Sequence, residues 1–192
     1  MRAIPKRKVL LHFTLIAWLL MVVLGLFFLA GYQNTAGRSE TASTTWPAES
    51  QVTRTPGIPT LVMMVHPHCP CSRASIGELA VLMAKAEGVV NANVLFVKPP
   101  DFPVAWEKTD LWTSATIIPG VKVSVDDGGN EARRFRSHTS GQILLYDANG
   151  QLLFSGGITA GRGHFGDNEG LSAVVSLLMQ GNSQSKEASV FG

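Results

Sequence analysis

The pattern of apolar and polar residues divides the chain into regions. Residues 9–32 are almost all apolar, and no Lys, Arg, Asp or Glu separates them from Arg38. Residues 33–57 are rich in Ser, Thr, Ala, Gly and Pro without a hydrophobic period, which predicts a flexible linker. Residues 58–181 alternate short apolar runs with polar turns, which predicts one folded domain. Residues 182–192 are mostly polar and are predicted to form a disordered tail.

Within residues 58–181, the hydrophobic periods predict alternating strands and helices. Apolar runs at 58–67 and 91–100 predict two buried strands. Between them, apolar side chains at helical spacing, ended by a glycine, predict a helix. Because a helical crossover of this length joins parallel strands, we expect the two strands to be parallel. The residues that define the helix are Ile76, Leu79, Ala80, Met83 and Gly88.

The second half of this region predicts further elements. Residues 121–129 alternate apolar and polar side chains, which predicts a strand, and residues 131–136 predict one or two helical turns. In residues 142–154, two apolar runs flank Ala-Asn-Gly, which predicts a β-hairpin. The apolar face of residues 171–179 predicts a last helix. Residues 99–120 leave two interpretations open, a short helix or a packed loop.

The apolar run 9–32 predicts a transmembrane anchor, since a helix needs about 20 apolar residues to cross a bilayer core. Four basic residues in the segment 1–8 precede the run, and such a flank stays in the cytoplasm. This orientation predicts a single-pass protein of the bacterial inner membrane with its folded domain in the periplasm. A cleaved signal peptide is the alternative, with an apolar region of only about 7–15 residues and a small-residue cleavage site.

The remaining charges are nearly balanced. Without the basic flank, 12 Lys and Arg face 14 Asp and Glu, a formal charge of −2. The densest basic spot is a set of three arginines within residues 131–136, which is typical of a solvated helix face. Because surfaces that bind nucleic acid need clustered Lys and Arg, we expect no nucleic-acid partner.

Both cysteines lie in the segment His-Pro-His-Cys-Pro-Cys-Ser-Arg, residues 66–73, directly after the first predicted strand. If the next helix begins at Pro70, Cys69 is its N-cap, where unpaired backbone N–H groups and the helix dipole favour a thiolate. A nearby Arg73 would add to that effect. If the helix begins instead at Ser75, which opens a capping-box pattern, the cysteines lie on a loop.

Three functions are compatible with this segment. Thiol–disulfide exchange would use Cys69 as the attacking thiolate and Cys71 as the resolving thiol, without a cofactor. Copper binding is the second, since imidazole and thiolate ligands suit that metal. A non-catalytic anchored binding module is the third. The candidate copper ligands are His66, His68, Cys69 and Cys71, with His138 or His164 as a distant ligand.

The motifs together resemble a known family. The order strand, active-site helix, strand, helix, hairpin, helix resembles the thioredoxin fold. The stretches HPHCPCSRAS and LLFSGGITAGRGHFGDN are similar to those of RedB-type proteins, small membrane-anchored bacterial proteins of the thioredoxin-like superfamily. The resemblance covers about residues 58–179. It implies an α/β thioredoxin-like fold, a central mixed sheet flanked by helices, after an N-terminal transmembrane helix. It also implies that the partners are the thiols or disulfides of exported proteins.

The sequence departs from thioredoxin at two places. Thioredoxin has two residues between its cysteines, whereas only one residue separates Cys69 from Cys71. The place of the cis-proline that faces the disulfide in thioredoxins holds Thr139 or Ser140 here. We therefore expect substrate docking to differ from that of thioredoxin.

A glycine-rich segment, residues 155–170, follows the predicted hairpin. In thioredoxin folds the corresponding segment can lie near the active-site turn. We expect Arg162 and His164 to contact a thiolate or an anionic substrate, and a solvent-exposed loop is the alternative. The predicted supporting residues of the site are Arg73, Thr139, Arg162 and His164.

Overall fold

The computed structural model describes residues 6–38 and 40–192, so most of the predicted basic segment 1–8 lies outside the described residues. The first helix, α1, spans Lys6–Gln33. Its segment Arg7–Gln33 has a mean hydropathy of 2.6 and is the one helix of the described chain that is long and apolar enough to cross a membrane. The chain divides into two compact units after Thr35, and α1 belongs to the first.

The second unit contains a five-stranded mixed sheet in the order β3-β2-β1-β4-β5. The pairs β1–β2 and β2–β3 are parallel, and β1–β4 and β4–β5 are antiparallel. The two strands predicted to be parallel are β1 and β2, and β4 and β5 form the predicted hairpin. The strands are β1 Thr60–Val65, β2 Asn91–Lys98, β3 Val121–Asp127, β4 Ile143–Tyr146 and β5 Leu152–Gly156.

Four helices flank the sheet, which confirms the α/β, thioredoxin-like fold predicted from the sequence. The open interpretation of residues 99–120 is settled in favour of a short helix that buries Leu111 and Ala115. The helices are α2 Ser72–Lys85, α3 Asp110–Thr116, α4 Asn130–Phe135 and α5 Glu169–Gln180.

The central strand β1 is buried on both faces. Side chains alternate along a strand, so Leu61, Met63 and Val65 point to the face covered by α2, α3 and α5. Val62 and Met64 point to the opposite face. The carboxyl end of β1 therefore holds the following turn at the centre of the domain.

The structure differs from the flexible linker predicted for residues 33–57. Ala42 is buried on the second face of the sheet, and the ring of Trp46 lies 5.1 Å from the rings of Phe135 and Tyr146. Backbone hydrogen bonds join this segment to β5 and to the hairpin turn. The segment has no hydrophobic period because a few apolar side chains and its backbone make these contacts.

The structure also differs from the disordered tail predicted for residues 182–192. The N–H group of Ser155 in β5 donates to the carbonyl of Lys186 at 3.0 Å, and Val190 is only 5% exposed. A Ser155–Glu187 bridge runs parallel to the strand. The polar composition hid these contacts because they are made largely by backbone groups.

Candidate redox site

The cysteine turn follows the buried strand β1 and leads directly into α2. The N–H group of Cys69 donates to the carbonyl of His66 at 3.1 Å, and that of Ser72 donates to the carbonyl of Cys69 at 3.1 Å. Two successive turns of the backbone therefore carry the chain from the strand to the helix. Both cysteines are half-buried free thiols.

The helix begins at Ser72, between the two predicted starts at Pro70 and Ser75. Cys71, not Cys69, occupies the N-cap position, and its side chain makes no capping hydrogen bond. The helix thus starts at neither predicted residue, and the interpretation of Cys69 as the N-cap, which required a start at Pro70, does not hold. The prolines and polar residues of this turn do not fix a helix start to within two residues, since several of them suit the first turn of a helix.

The two thiols contact each other, and Arg162 contacts Cys71. Burial raises the pKa of Cys71 above its ordinary value, and the neighbouring Cys69 raises it further by charge and by hydrogen bonding. A hydrogen bond from Arg162 and its positive charge oppose this rise. The structure thus brings Arg162 from the glycine-rich segment to a thiol, which is one of the two contacts expected for that residue.

Ser140 ties the loop before β4 to the cysteine turn. Its Oγ accepts a hydrogen bond from the backbone N–H of His66 at 2.7 Å and shares one with Ser72 Oγ at 2.6 Å. Thr139 instead turns away, because its Oγ1 donates to the carbonyl of Arg38 at 2.7 Å. Ser140, not Thr139, therefore faces the cysteine turn at the place of the thioredoxin cis-proline. The described chain contains no cis peptide bond.

Arg73 and His164 are not held at the cysteines in the described contacts. The Arg73 side chain is 55% exposed and pairs with Asp110 at the start of α3. His164 is exposed, and its backbone N–H donates to Gly161 at 3.2 Å. Both residues lie on the surface around the site. Among the described residues, no contact with a cysteine supports the roles predicted for them.

The glycine-rich segment is bonded to α2 just after His164, and a second hydrogen bond joins its two ends. The N–H group of Gly166 donates to Glu78 on α2 at 2.6 Å, and the Asn168 side chain donates to Ile158 at 2.9 Å. Asn168 also caps α5 by accepting from Leu171. These bonds hold the segment near α2 while His164 stays in solvent.

The two histidines before the cysteines pack on Trp106. Their ring centroids lie 5.6 Å (His66) and 4.5 Å (His68) from that of Trp106, and His68 Nε2 lies 3.2 Å from the Trp106 carbonyl oxygen. Burial, and to a smaller extent His68, lowers the pKa of His66. The sequence predicts only a short helix or a packed loop for the region of Trp106, and nothing in the spacing of this residue points to the histidines.

The four predicted copper ligands do not converge. Their imidazole and thiolate groups suit copper chemically. Across residues 6–38 and 40–192, however, no three His, Cys, Asp or Glu side chains are grouped to hold a metal ion. The predicted distant ligand His138 pairs instead with Glu40, at 2.9 Å between Nε2 and Oε2. A preformed copper centre of this composition is absent from the described residues.

Comparisons with solved structures agree with this architecture. A hypothetical protein from Sinorhizobium meliloti 1021 matches with a TM-score of 0.59 and 17% identity over 82% of this chain and 92% of that one. An uncharacterized conserved protein from Geobacillus kaustophilus matches with a TM-score of 0.57 and 13% identity over 83% and 93%. A thiol-disulfide isomerase from Corynebacterium glutamicum matches with a TM-score of 0.49 and 16% identity over 76% of this chain and 97% of that one.

The two likenesses with TM-scores above 0.5 establish the fold alone, because their sequence identities are 13% and 17%. No protein-family model matches the chain, and no curated protein matches it.

Proposed function

We propose that the chain is a membrane-anchored thiol–disulfide oxidoreductase that uses the Cys69-Pro70-Cys71 turn. One observation carries the proposal: two free thiols contact each other at the end of the central strand, and Arg162 hydrogen-bonds one of them. A disulfide staple is a weaker explanation, since closing so short a loop removes little entropy from the unfolded chain. A second thiol beside the first allows exchange in two steps through a mixed disulfide.

The exchange would proceed in two balanced steps. The Cys69 thiolate attacks one sulfur of a substrate disulfide, the substrate S–S bond breaks, and the departing thiolate takes up a proton. Cys71 then loses its proton and attacks the sulfur of Cys69, which releases the second substrate thiol and leaves a Cys69–Cys71 disulfide. Counted from the dithiol form, including the earlier ionisation of Cys69, the protein gives up two electrons and two protons to the substrate, and the reverse sequence oxidises a substrate dithiol.

The different surroundings of the thiols support these roles. Burial, and next the charge of a Cys69 thiolate, raises the pKa of Cys71, so that Cys71 holds its proton while Cys69 reacts. Arg162 then lies beside Cys71, where its positive charge favours loss of the second proton. Resolution by Cys71 is therefore the step in which Arg162 acts.

The location completes the proposal. The length and hydropathy of α1 support a membrane anchor, and the basic residues before it support a cytoplasmic N-terminus with the domain in the periplasm. The partners would then be the thiols or disulfides of exported proteins. Assignment to the RedB-type proteins is part of this proposal and rests on the motifs around the cysteines and the glycine-rich segment.

The test uses the full chain in detergent micelles, reduced and metal-free, with oxidised glutathione as the disulfide probe. We expect Cys71→Ser to accumulate a mixed disulfide on Cys69, seen by intact mass, because no second thiol resolves it. Cys69→Ser should form far less adduct, and the double variant none. Equal amounts of mixed disulfide in the two single variants would contradict the proposal that Cys69 attacks first.

The same samples separate the alternative functions. Absence of exchange in the wild-type chain, together with stoichiometric uptake of Cu(I) from a chromophoric chelator, would move the assignment to copper delivery. Absence of both activities would leave the binding module.

A further inference from the structure

Residues 186–192, here called the strap, run along the outer edge of β5. The Ser155 N–H donates to the carbonyl of Lys186 at 3.0 Å, and the Ala188 N–H donates to the carbonyl of Ser155 at 3.4 Å. These are the bonds of a short strand added in parallel to a sheet edge. The strap is thus held by backbone groups, as an added peptide would be.

Two glycines of β5 and its end permit this close approach. A Cβ on Gly156 would lie 2.6 Å from the backbone nitrogen and oxygen of Ala188, and a Cβ on Gly157 would lie 2.6 Å from the carbonyl oxygen of Ser189. Neither contact leaves room for a side chain. The Gly-Gly pair therefore provides the surface on which the strap lies.

The far end of the strap reaches the redox site by two routes. Arg162, which hydrogen-bonds Cys71, also donates to the backbone oxygen of Gly192. A Cβ on Gly192 would collide with the carbonyl oxygen of Ser140, whose hydroxyl bonds Ser72 beside Cys71. One residue therefore separates the strap from the cysteine turn on either route.

A second segment fastens the strap from the outside. The Gly37 N–H donates to the carbonyl of Val190 at 2.8 Å, and Val190 is only 5% exposed. The next residue, Arg38, accepts the hydrogen bond of Thr139. The loop 139–140 is consequently covered by two pieces of chain.

We propose that the strap is an autoinhibitory cover of the redox site. The strap packs against the backbone of Ser140 and accepts a hydrogen bond from Arg162. Both groups lie next to the thiols, and an incoming peptide would contact them. An extended segment of an exported partner protein would displace the strap, since both present backbone groups to the same edge and loop. This inference rests on the proposed exchange function and adds its regulation.

The test compares the full chain with two variants that lift the strap. One lacks the whole strap, residues 186–192, and the other is Gly157→Ala, whose new methyl would meet Ser189 and Val190. Gly157 is not among the residues with positive φ, so its backbone suits alanine. Gly25→Ala is the matched control, because nothing lies within 4 Å of a Cβ at that position.

Two rates are measured on each reduced protein in micelles: alkylation of the thiols by iodoacetamide, and exchange with a synthetic disulfide-bonded peptide. We expect both rates to rise about fivefold or more in the two lifted variants, a typical size for coupling between a cover and a site. The control should match the wild type. A peptide with the sequence of residues 186–192, added to the truncated protein, should restore the slow rates, whereas a scrambled peptide should not.

Unchanged rates in both lifted variants, each with a cooperative unfolding transition, would overturn the proposal that the strap covers the redox site. If Gly157→Ala fails to fold, the truncated protein and the added peptide decide the matter. If no protein, wild type included, exchanges with the disulfide peptide, the proposed function fails, while the alkylation rates still decide whether the strap covers the thiols.

Discussion

At the scale of single residues, Arg162 is the centre of the site. Its guanidinium has five N–H donors, which lets it serve the Cys71 thiol and the Gly192 carbonyl together. The first contact favours ionisation of Cys71, and the second fastens the strap. The two effects on reactivity oppose each other and are separable by pH.

Replacing Arg162 by alanine should change two properties of the thiols. The pKa of Cys71 should rise, because a favourable charge and a hydrogen bond are lost. The rate of alkylation at high pH, where both thiols are ionised, should also increase by roughly fivefold, because the strap loses its anchor. A pH titration of the thiolate ultraviolet absorbance and of the alkylation rate gives both values.

Arg73→Ala is the control for this experiment. Arg73 pairs with Asp110 on the surface, and exposed pairs contribute little to stability. Its titration curve should overlay that of the wild type. An identical midpoint in Arg162→Ala and the wild type would mean that Arg162 does not influence the thiol.

The raised pKa of Cys71 also makes stability depend on pH. The folded chain holds this proton more tightly than the unfolded chain, so the contribution to stability is fully present below the ordinary thiol pKa of about 8.5. It is lost as the pH rises through the folded value. We expect the free energy of unfolding of the reduced protein to fall over that range, measured by urea denaturation.

Cys71→Ser isolates this contribution. Its curve of stability against pH should be flatter than that of the wild type above the ordinary thiol pKa. Parallel curves for the two proteins would show that Cys71 does not cause the pH dependence.

At the scale of elements, the segment after α1 is a structural part of the domain. Trp46 packs against Phe135 and Tyr146, and the Tyr146 hydroxyl donates to Ser43 at 2.9 Å. We expect Trp46→Ala to lower the free energy of unfolding by about 2–3 kcal/mol, somewhat below the cost for a fully buried aromatic side chain. Urea denaturation of the chain measures the loss.

Glu49→Ala provides the comparison, since Glu49 is exposed in the same segment. Its stability should stay within about 0.5 kcal/mol of the wild type. A Trp46→Ala variant as stable as Glu49→Ala would instead support the prediction, made from composition, that this segment is a flexible linker.

Elements with a clear hydrophobic period were predictable from the sequence. The continuous apolar runs of β1 and β2, the hairpin turn and the apolar face of α5 each express burial directly in residue type. The segment 40–53 and the strap lack such a period, because their backbones pair with β5 and only single side chains are buried. Contacts of this kind depend on the partner strand, which is distant along the chain, so the local sequence does not reveal them.

The site was predictable to a similar degree. The cysteine turn was found because both cysteines follow a buried strand, and Arg162 was found because it follows the hairpin. The orientation of Thr139 and Ser140 was not, since adjacent hydroxyl residues differ only in which side of the backbone they occupy. The packing of His66 and His68 on Trp106 was not predictable either, because Trp106 is distant from them in sequence.

At the scale of the whole molecule, the chain joins an apolar helix to a folded domain. We expect the full chain to remain with phospholipid vesicles through an alkaline carbonate wash, because about 20 apolar residues suffice to span a bilayer. A chain that begins at Ala36 should stay in the supernatant. Sedimentation followed by immunoblotting measures both.

N-terminal analysis of the protein isolated from cells distinguishes an anchor from a cleaved signal peptide. Retention of α1 supports the anchor, whereas a mature chain that starts after the apolar run would identify a signal peptide. Release of the full chain by carbonate would contradict the proposal that α1 anchors the protein in a membrane.

The strap has a consequence beyond access to the thiols. In the order β3-β2-β1-β4-β5, β5 is an outer strand, and the strap together with residues 44–45 occupies its open side. An uncovered outer strand is a template for pairing with another chain. The piece of chain that restrains the chemistry therefore also protects the domain from self-association. Displacement of the strap without a partner in its place would leave the protein prone to exchange the strap between copies, or to aggregate.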